Sequence, residues 1–268
     1  SCSWTFLLSF LVMTLSCDGG KVLVFPVDGS HWLNMKILVE AVHSQCHQIT
    51  FLNSHCSHSV LCGILRSYGT MQYKGGTHVE VVAKFTSTIF ENKTLIGDLN
   101  KTGYDLFLTD PTFPGGVLLA HHLQLPLVFN VRWLFSGEAH LAVAPSSVSY
   151  IPICFSHNSD KIDFFQRIRN MIHYIMVFYR DYYVSRQPYQ ALCDRYFGNN
   201  VSLMSLTQKA DLWLMRVDFT FEVPRPTMPN VIYIGASKVS LQRPSKFVVF
   251  TSIYLLYLQT DWVFNKGR

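Results

Sequence analysis

A chain of 268 residues, with 49% apolar and only 15% charged residues, can bury a sizeable core and lacks the composition of a disordered protein. Its net charge of +5 is uneven: from Gly235 to the C-terminus there are five basic residues and one acid, which leaves a balance of +1 for everything before. A nucleic-acid binder carries its basic face within the fold, so that class of partner is set aside.

The chain opens with an apolar run, Phe6–Leu15, followed by Ser16 and Cys17. These are the apolar and small-residue parts of a secretory signal peptide. Ser1 comes first and no basic residue precedes the run, so a signal segment over residues 1–17 is expected to be incomplete at its N-terminus. The alternative is a buried helix or strand at the start of the fold. The run is too short for a membrane span, which needs about 20 apolar residues. Asn92-Lys93-Thr94, Asn100-Lys101-Thr102 and Asn200-Val201-Ser202 are N-glycosylation triplets, weak singly, that favour the secretory route together with the leader. Seven cysteines are scattered without a regular framework, and outside the leader they read as small core residues.

KVLVF (Lys21–Phe25) has the continuous β-rich character of a strand buried on both faces. Trp32–Ser44 has helical spacing, with Leu33, Ile37, Leu38, Ala41 and Val42 on one face. QITFL (Gln48–Leu52) is a second buried strand, and the three make a βαβ unit with parallel strands. A third strand is predicted over His78–Phe85, a fourth over Tyr104–Asp110, a helix over Gly115–Gln124 and a fifth strand over Leu125–Val131. The pattern is that of a doubly wound α/β domain, a parallel sheet flanked by helices. Asp160–Ser185 is expected to be one long helix, apolar over most of its circumference with Arg167, Arg169 and Arg180 interspersed. Packing inside the domain is its first expectation; a pocket wall or a membrane-surface helix is the alternative. Asp211–Gly235 holds strand-like runs around Pro224, Pro226 and Pro229, which read as a domain boundary. Residues 236–268 change character, and the apolar stretch Phe247–Leu258 is short for a membrane span.

In a parallel α/β sheet, ligands bind outside the carboxyl ends of the strands. His31 lies just past the first strand and Asp110 closes the fourth, so both are expected on one sheet edge. A carboxylate that orients a histidine fixes its tautomer and stabilises the imidazolium, which makes a general base. The helix start behind His31 disfavours the charged ring. The competing expectation has Asp110 capping the next helix and His31 making a turn hydrogen bond. His43, Cys46, His47, His55, Cys56, His58 and Cys62 form a patch without the paired spacing of a zinc site. The first βα turn, PVDGSHW, lacks G-x-G-x-x-G, which argues against a dinucleotide cofactor. No Walker loop and no G-x-S-x-G elbow occur. His121 and His122 read as surface or packing residues.

The blocks VFPVDGSHWLNMKILVEAVHSQCHQITFL, LTDPTFPGGVLLAHHLQLPLVFNVRW, CDRYFG and ADLWLMRVDFTFEVPRPTMPNVIYIG resemble the N-terminal half of a UDP-glucuronosyltransferase, closest to the fish-type branch, from about Lys21 to Gly235. The resemblance implies a GT-B fold of two facing Rossmann-like domains, with residues 18–235 forming the acceptor-binding one. It implies that His31, in the G-S-H-W block, is the catalytic base and that Asp110 is its partner. Sugar passes with inversion from a UDP-sugar co-substrate such as UDP-glucuronate to a small lipophilic acceptor, with no cofactor or metal. It further implies residence in the endoplasmic reticulum and a role in xenobiotic metabolism.

The family's donor-binding block, W-x-P-Q…H-x-G-x-N…E, is not found, nor is its C-terminal membrane anchor. The likeness stops at Gly235. The expectation is therefore a truncated acceptor half that does not transfer sugar alone, with an aberrant tail over residues 236–268. The other expectation is a non-catalytic lumenal binding protein that modulates full-length transferases, as a homo- or hetero-oligomer.

Overall fold

The computed structural model describes residues 19–26, 30–52, 78–112, 114–131, 142–143, 147–153, 156, 158–159, 161–216 and 223–234. Its strands are β1 (Lys21–Val24), β2 (Gln48–Phe51), β3 (Leu106–Thr109), β4 (Leu127–Val131), β5 (Leu212–Met215) and β6 (Val231–Tyr233). The helices are α1 (Ser30–His43), α2 (His78–Glu91), α3 (Lys93–Thr102), α4 (Gly115–Leu123), α5 (Phe164–Arg180), α6 (Gln187–Phe197) and α7 (Leu203–Gln208). All six strands pair in parallel, in the order β2-β1-β3-β4-β5-β6. The expected doubly wound, Rossmann-like sheet is what the chain forms. It runs from β1 outward to β2 and then returns to lay β3 on the other side of β1. The crevice between β1 and β3 is therefore the topological switch point, where sheets of this kind bind ligands.

Successive strand residues point to opposite faces, and both faces of the inner strands are buried; β2, expected as a second buried strand, lies at the sheet edge and has no buried residue. Val22, Val24, Leu108, Val128, Leu212 and Leu214 form one face, closed by Met35, Leu38, Val39 and Val42 of α1. Leu23, Phe107, Phe129, Val131, Trp213 and Met215 form the other, under α2, α3, α4, α6 and α7. Trp213 is the largest fully buried side chain, and its ring packs 4.5 Å from that of Phe129. Side chains also punctuate the helices. Asn92 Oδ1 accepts from Leu95 N at 3.1 Å to start α3, and Gly103, at φ 62°, ends it. Asp163 and Gln166 form a reciprocal capping box that starts α5.

Three expectations need correction. His78–Phe85 is not a strand but the start of α2. Its buried residues Val82, Ala83, Thr86, Ile89 and Phe90 recur with helical spacing, a pattern that shows only when the segment is followed past Phe85. The Pro-rich stretch does not divide two domains. It connects β5 to β6 within one sheet, where Trp213 N donates to Asn230 O at 2.8 Å and the strands pair in parallel. Proline cannot donate to a ladder, so its place in the connection follows. The long helix is not packed inside the domain. It spans Phe164–Arg180, where it buries one residue, Asn170, and continues as a π-helical turn over Asp181–Ser185.

Asn170 is fully used. Its amide nitrogen donates to Val148 O at 2.8 Å and Ile151 O at 2.7 Å, while its oxygen accepts from Ile153 N at 2.8 Å. One polar side chain thus ties the segment around Ile151 to α5. Asn170→Ala strands buried backbone groups and is expected to cost about 2–3 kcal/mol. Urea unfolding should show that loss, and limited proteolysis should show earlier cleavage near Ile151; an unchanged midpoint and cleavage pattern would contradict the tie.

Candidate active site

β1 ends at Val24, and Phe25 N donates to Leu108 O of β3 at 2.9 Å, so the two strands deliver the chain to the same edge. From there α1 begins at Ser30, which puts His31 in its first turn. Asp110 is the first residue beyond β3. The two side chains, 79 positions apart, meet: His31 Nδ1 lies 2.7 Å from Asp110 Oδ2. Asp110 is 1% exposed and the His31 side chain 17%. An ionised carboxylate only accepts, so His31 Nδ1 carries the proton and Nε2 carries the lone pair. The ring's basic nitrogen is thereby chosen by its neighbour.

The other carboxylate oxygen is held by Thr112. Its backbone N donates to Asp110 Oδ1 at 2.9 Å and its hydroxyl to the same atom at 2.6 Å. This local turn is what Asp and Thr two residues apart commonly form, so Asp-Pro-Thr was a legible signal that sequence reasoning passed over. Among the described residues Asp110 caps no helix; α4 has Pro114 at its N-cap, without a side-chain cap. A second polar contact lies alongside. Asn34, one turn below His31 on α1, donates to Asn130 Oδ1 of β4 at 3.4 Å, both buried. Asn130 Nδ2 has no hydrogen-bond partner among the described residues. This pair was not singled out in the sequence, because asparagines in apolar runs carry no spacing signal.

Close packing fixes the height of Asp110. Gly116 of α4 backs onto Thr109, the last residue of β3, and a Cβ there would stand 2.8 Å from the Thr109 Cβ. Only glycine lets α4 settle against the strand end that carries the carboxylate.

The remaining candidates do other things. His47 Nδ1 accepts from Gly20 N at 3.0 Å, and His43 Nδ1 lies 3.4 Å from His47 O, so both serve the connection around β2. Cys46 is exposed, contrary to its reading as a core residue, and sits at φ 68°; Cys193 is buried. His55, Cys56, His58 and Cys62 lie outside the described residues. Among the described residues no group of three His, Cys, Asp or Glu could hold a metal ion. His121 and His122 pack against Phe197, and His122 also against Phe90. Burial, then the charges of Lys209 and His122, hold His121 below the usual histidine value. Asn92, Asn100 and Asn200 are all exposed.

The family model described as UDP-glucoronosyl and UDP-glucosyl transferase matches residues 20–74 and 62–250. This chain belongs to that family. It is 34% identical over 261 residues to UDP-glucuronosyltransferase 1-2 of Rattus norvegicus, covering 85% of this chain and 49% of that protein. It is 32% identical over 272 residues to UDP-glucuronosyltransferase 1A4 of Oryctolagus cuniculus, covering 89% and 51%. The chain thus spans about half the length of the curated relatives it matches. Among solved structures it is similar to Phytolacca americana UGT2 complexed with UDP-2fluoro-glucose and pterostilbene, at 13% identity and TM-score 0.42, over 81% of this chain and 54% of that one. In this chain the His31–Asp110 pair stands at the β1/β3 switch point of the sheet.

Proposed function

We propose that this chain forms the acceptor-binding half of an inverting UDP-glucuronosyltransferase, with His31 as the general base and Asp110 as the residue that orients it. The observation that carries the reading is the 2.7 Å contact between them at the β1/β3 switch point. A small lipophilic acceptor presents its hydroxyl to Nε2 of His31. Nε2 takes the proton as the acceptor oxygen attacks the anomeric carbon of UDP-glucuronate. The bond from that carbon to the UDP oxygen breaks, and UDP departs with the electron pair as an anion. Asp110 faces the imidazolium that forms and offsets its charge, while Thr112 keeps the carboxylate from turning away. No metal takes part in this sequence of events. In this reading a second domain, of the kind found in the other half of the longer relatives, holds the UDP-sugar. The setting is the lumen of the endoplasmic reticulum, where exposed Asn92, Asn100 and Asn200 are open to glycosylation.

A chimera tests the proposal directly. Residues 19–234 replace the corresponding part of the rat relative, and the product made from UDP-glucuronate and a simple phenol is examined by NMR at the anomeric proton. The β-linked glucuronide and free UDP are expected. An α-linked product, or a chimera that binds UDP normally yet converts no acceptor, overturns the reading.

A further inference from the structure

His31 is not alone in joining α1 to the sheet. It reaches Asp110, just past β3, at 2.7 Å, and Asn34, one turn on, reaches Asn130 of β4 at 3.4 Å. β3 and β4 pair Leu108 with Val128 and Thr109 with Phe129, so one step further the register sets Asp110 beside Asn130. Val128 lies on the sheet face that α1 covers, and Asn130, two residues later, points to the same face. The dyad and the amide pair are adjacent rungs between one helix and two neighbouring strands. Both amides are out of solvent, Asn34 at 4% exposure and Asn130 at 1%.

As a source of stability this pair is poor. It shares one bond, and Asn130 Nδ2 has no partner among the described residues. One neutral hydrogen bond does not offset the desolvation of two amides when a donor is left without an acceptor. Two leucines, of nearly the same shape, would bury there without that cost. What an apolar pair lacks is direction. Met35, Leu38, Val39 and Val42 hold α1 on the sheet through contacts that favour burial without preferring an angle. A hydrogen bond does prefer one, and so fixes how far the helix is turned about its own axis. A roll of about 10° carries an atom about 6 Å from a helix axis through about 1 Å. That is enough to break the contact between His31 and Asp110 and to misplace a reacting group by a margin that slows chemistry.

We propose that Asn34 and Asn130 are positioning residues: their bond sets the rotation of α1, which holds His31 Nδ1 on Asp110 and fixes the direction of Nε2. Neither amide takes a proton; both act through the imidazole. The consequence for turnover rests on the reading of His31 as the base, whereas the consequence for the ring does not. A pair with a structural role alone makes stability and the state of the ring change together. A positioning pair lets the two move in opposite directions.

Nitrogen NMR of the full chain with labelled histidine reads the ring directly, because protonated and bare ring nitrogens resonate far apart; His31→Gln identifies the signals. Under conditions where the ring is neutral, the parent is expected to carry its proton on Nδ1. Asn34→Leu with Asn130→Leu should melt at or above the parent temperature, yet move about a third or more of the His31 population to the form protonated on Nε2. In the chimera with the rat relative the same pair of substitutions should lower kcat about tenfold or more, with the acceptor KM little changed. Asn34→Ala alone asks for no new packing and serves if the leucine variant fails to fold. It should move the ring the same way while lowering the melting temperature. A ring that stays protonated on Nδ1 in either folded variant overturns the proposal. A ring that shifts while turnover holds upholds the positioning role and removes His31 as the base instead.

Discussion

If His31 is the proposed base, replacing it with alanine in the chimera with the rat relative is expected to lower kcat about a thousandfold while moving the acceptor KM little. The loss is specific to the transition state, where the acceptor oxygen must give up its proton as it attacks. Thr112 still holds Asp110 in place, so the end of β3 keeps its shape. Removing the ring also leaves a buried carboxylate, 1% exposed, without its opposite pole. The variant should therefore lose about 1–3 kcal/mol of stability as well. Asp110→Asn separates the two effects. Its amide can donate to Nδ1, which shifts the ring proton to Nε2 and spoils the base while the shape is kept. Turnover should fall by about two orders of magnitude or more with a smaller stability change. The double variant His31→Ala/Asp110→Asn should be no slower than His31→Ala, since the two act as one unit. Additive losses would sink the dyad and leave Asp110 with a structural role only.

Gly116→Ala should destabilise the domain strongly for a single added methyl group. The new Cβ would meet the Thr109 Cβ at 2.8 Å and its Cγ2 at 2.9 Å, with the hydroxyl closer still. Neither partner can yield: Gly116 is in the first turn of a buried helix, and Thr109 is fully buried in a central strand with its hydroxyl on Phe25 O. Forcing them apart is expected to cost about 3 kcal/mol, which lowers Tm by roughly 6–12 °C for a domain of this size. The strain falls on the turn that carries Asp110 and Thr112, so turnover should drop even below the melting range. Adding Thr109→Ala removes the hydroxyl and Cγ2 and leaves the Cβ contact, so part of the stability should return. Calorimetry of the two single variants and the double variant decides it. If Gly116→Ala melts with the parent, α4 does not seat on β3 as described.

The dyad was legible because two kinds of information coincide in it. Continuous apolar runs mark the parallel strands, and polar residues just past their ends mark the edge that faces ligand. That placed His31 and Asp110 on one side of the sheet without any knowledge of strand order. The order itself came from the fold. With His78–Phe85 in a helix, the strand beside β1 is the one that leads into Asp110, which turns a shared edge into a 2.7 Å contact. Thr112 was in plain view two residues from Asp110. Asn34 and Asn130 were not, since a buried amide pair depends on which helix face meets which strand.

By itself the sequence determined the βαβ start, the two-sided burial of the inner strands, the sheet edge shared by His31 and Asp110 and, through its blocks, the family. These are local or pattern properties: backbone preference and hydrophobic period act over a few residues and survive in any compact arrangement. The tertiary structure alone decided which strands are neighbours, that the prolines 224–229 bridge one sheet, and that α5 turns its apolar stripe outward. The physical reason is the same in each case. An apolar face states only that it must be covered; what covers it is set by the neighbours. For α5 the domain spends a single buried residue, Asn170, and leaves its apolar stripe exposed.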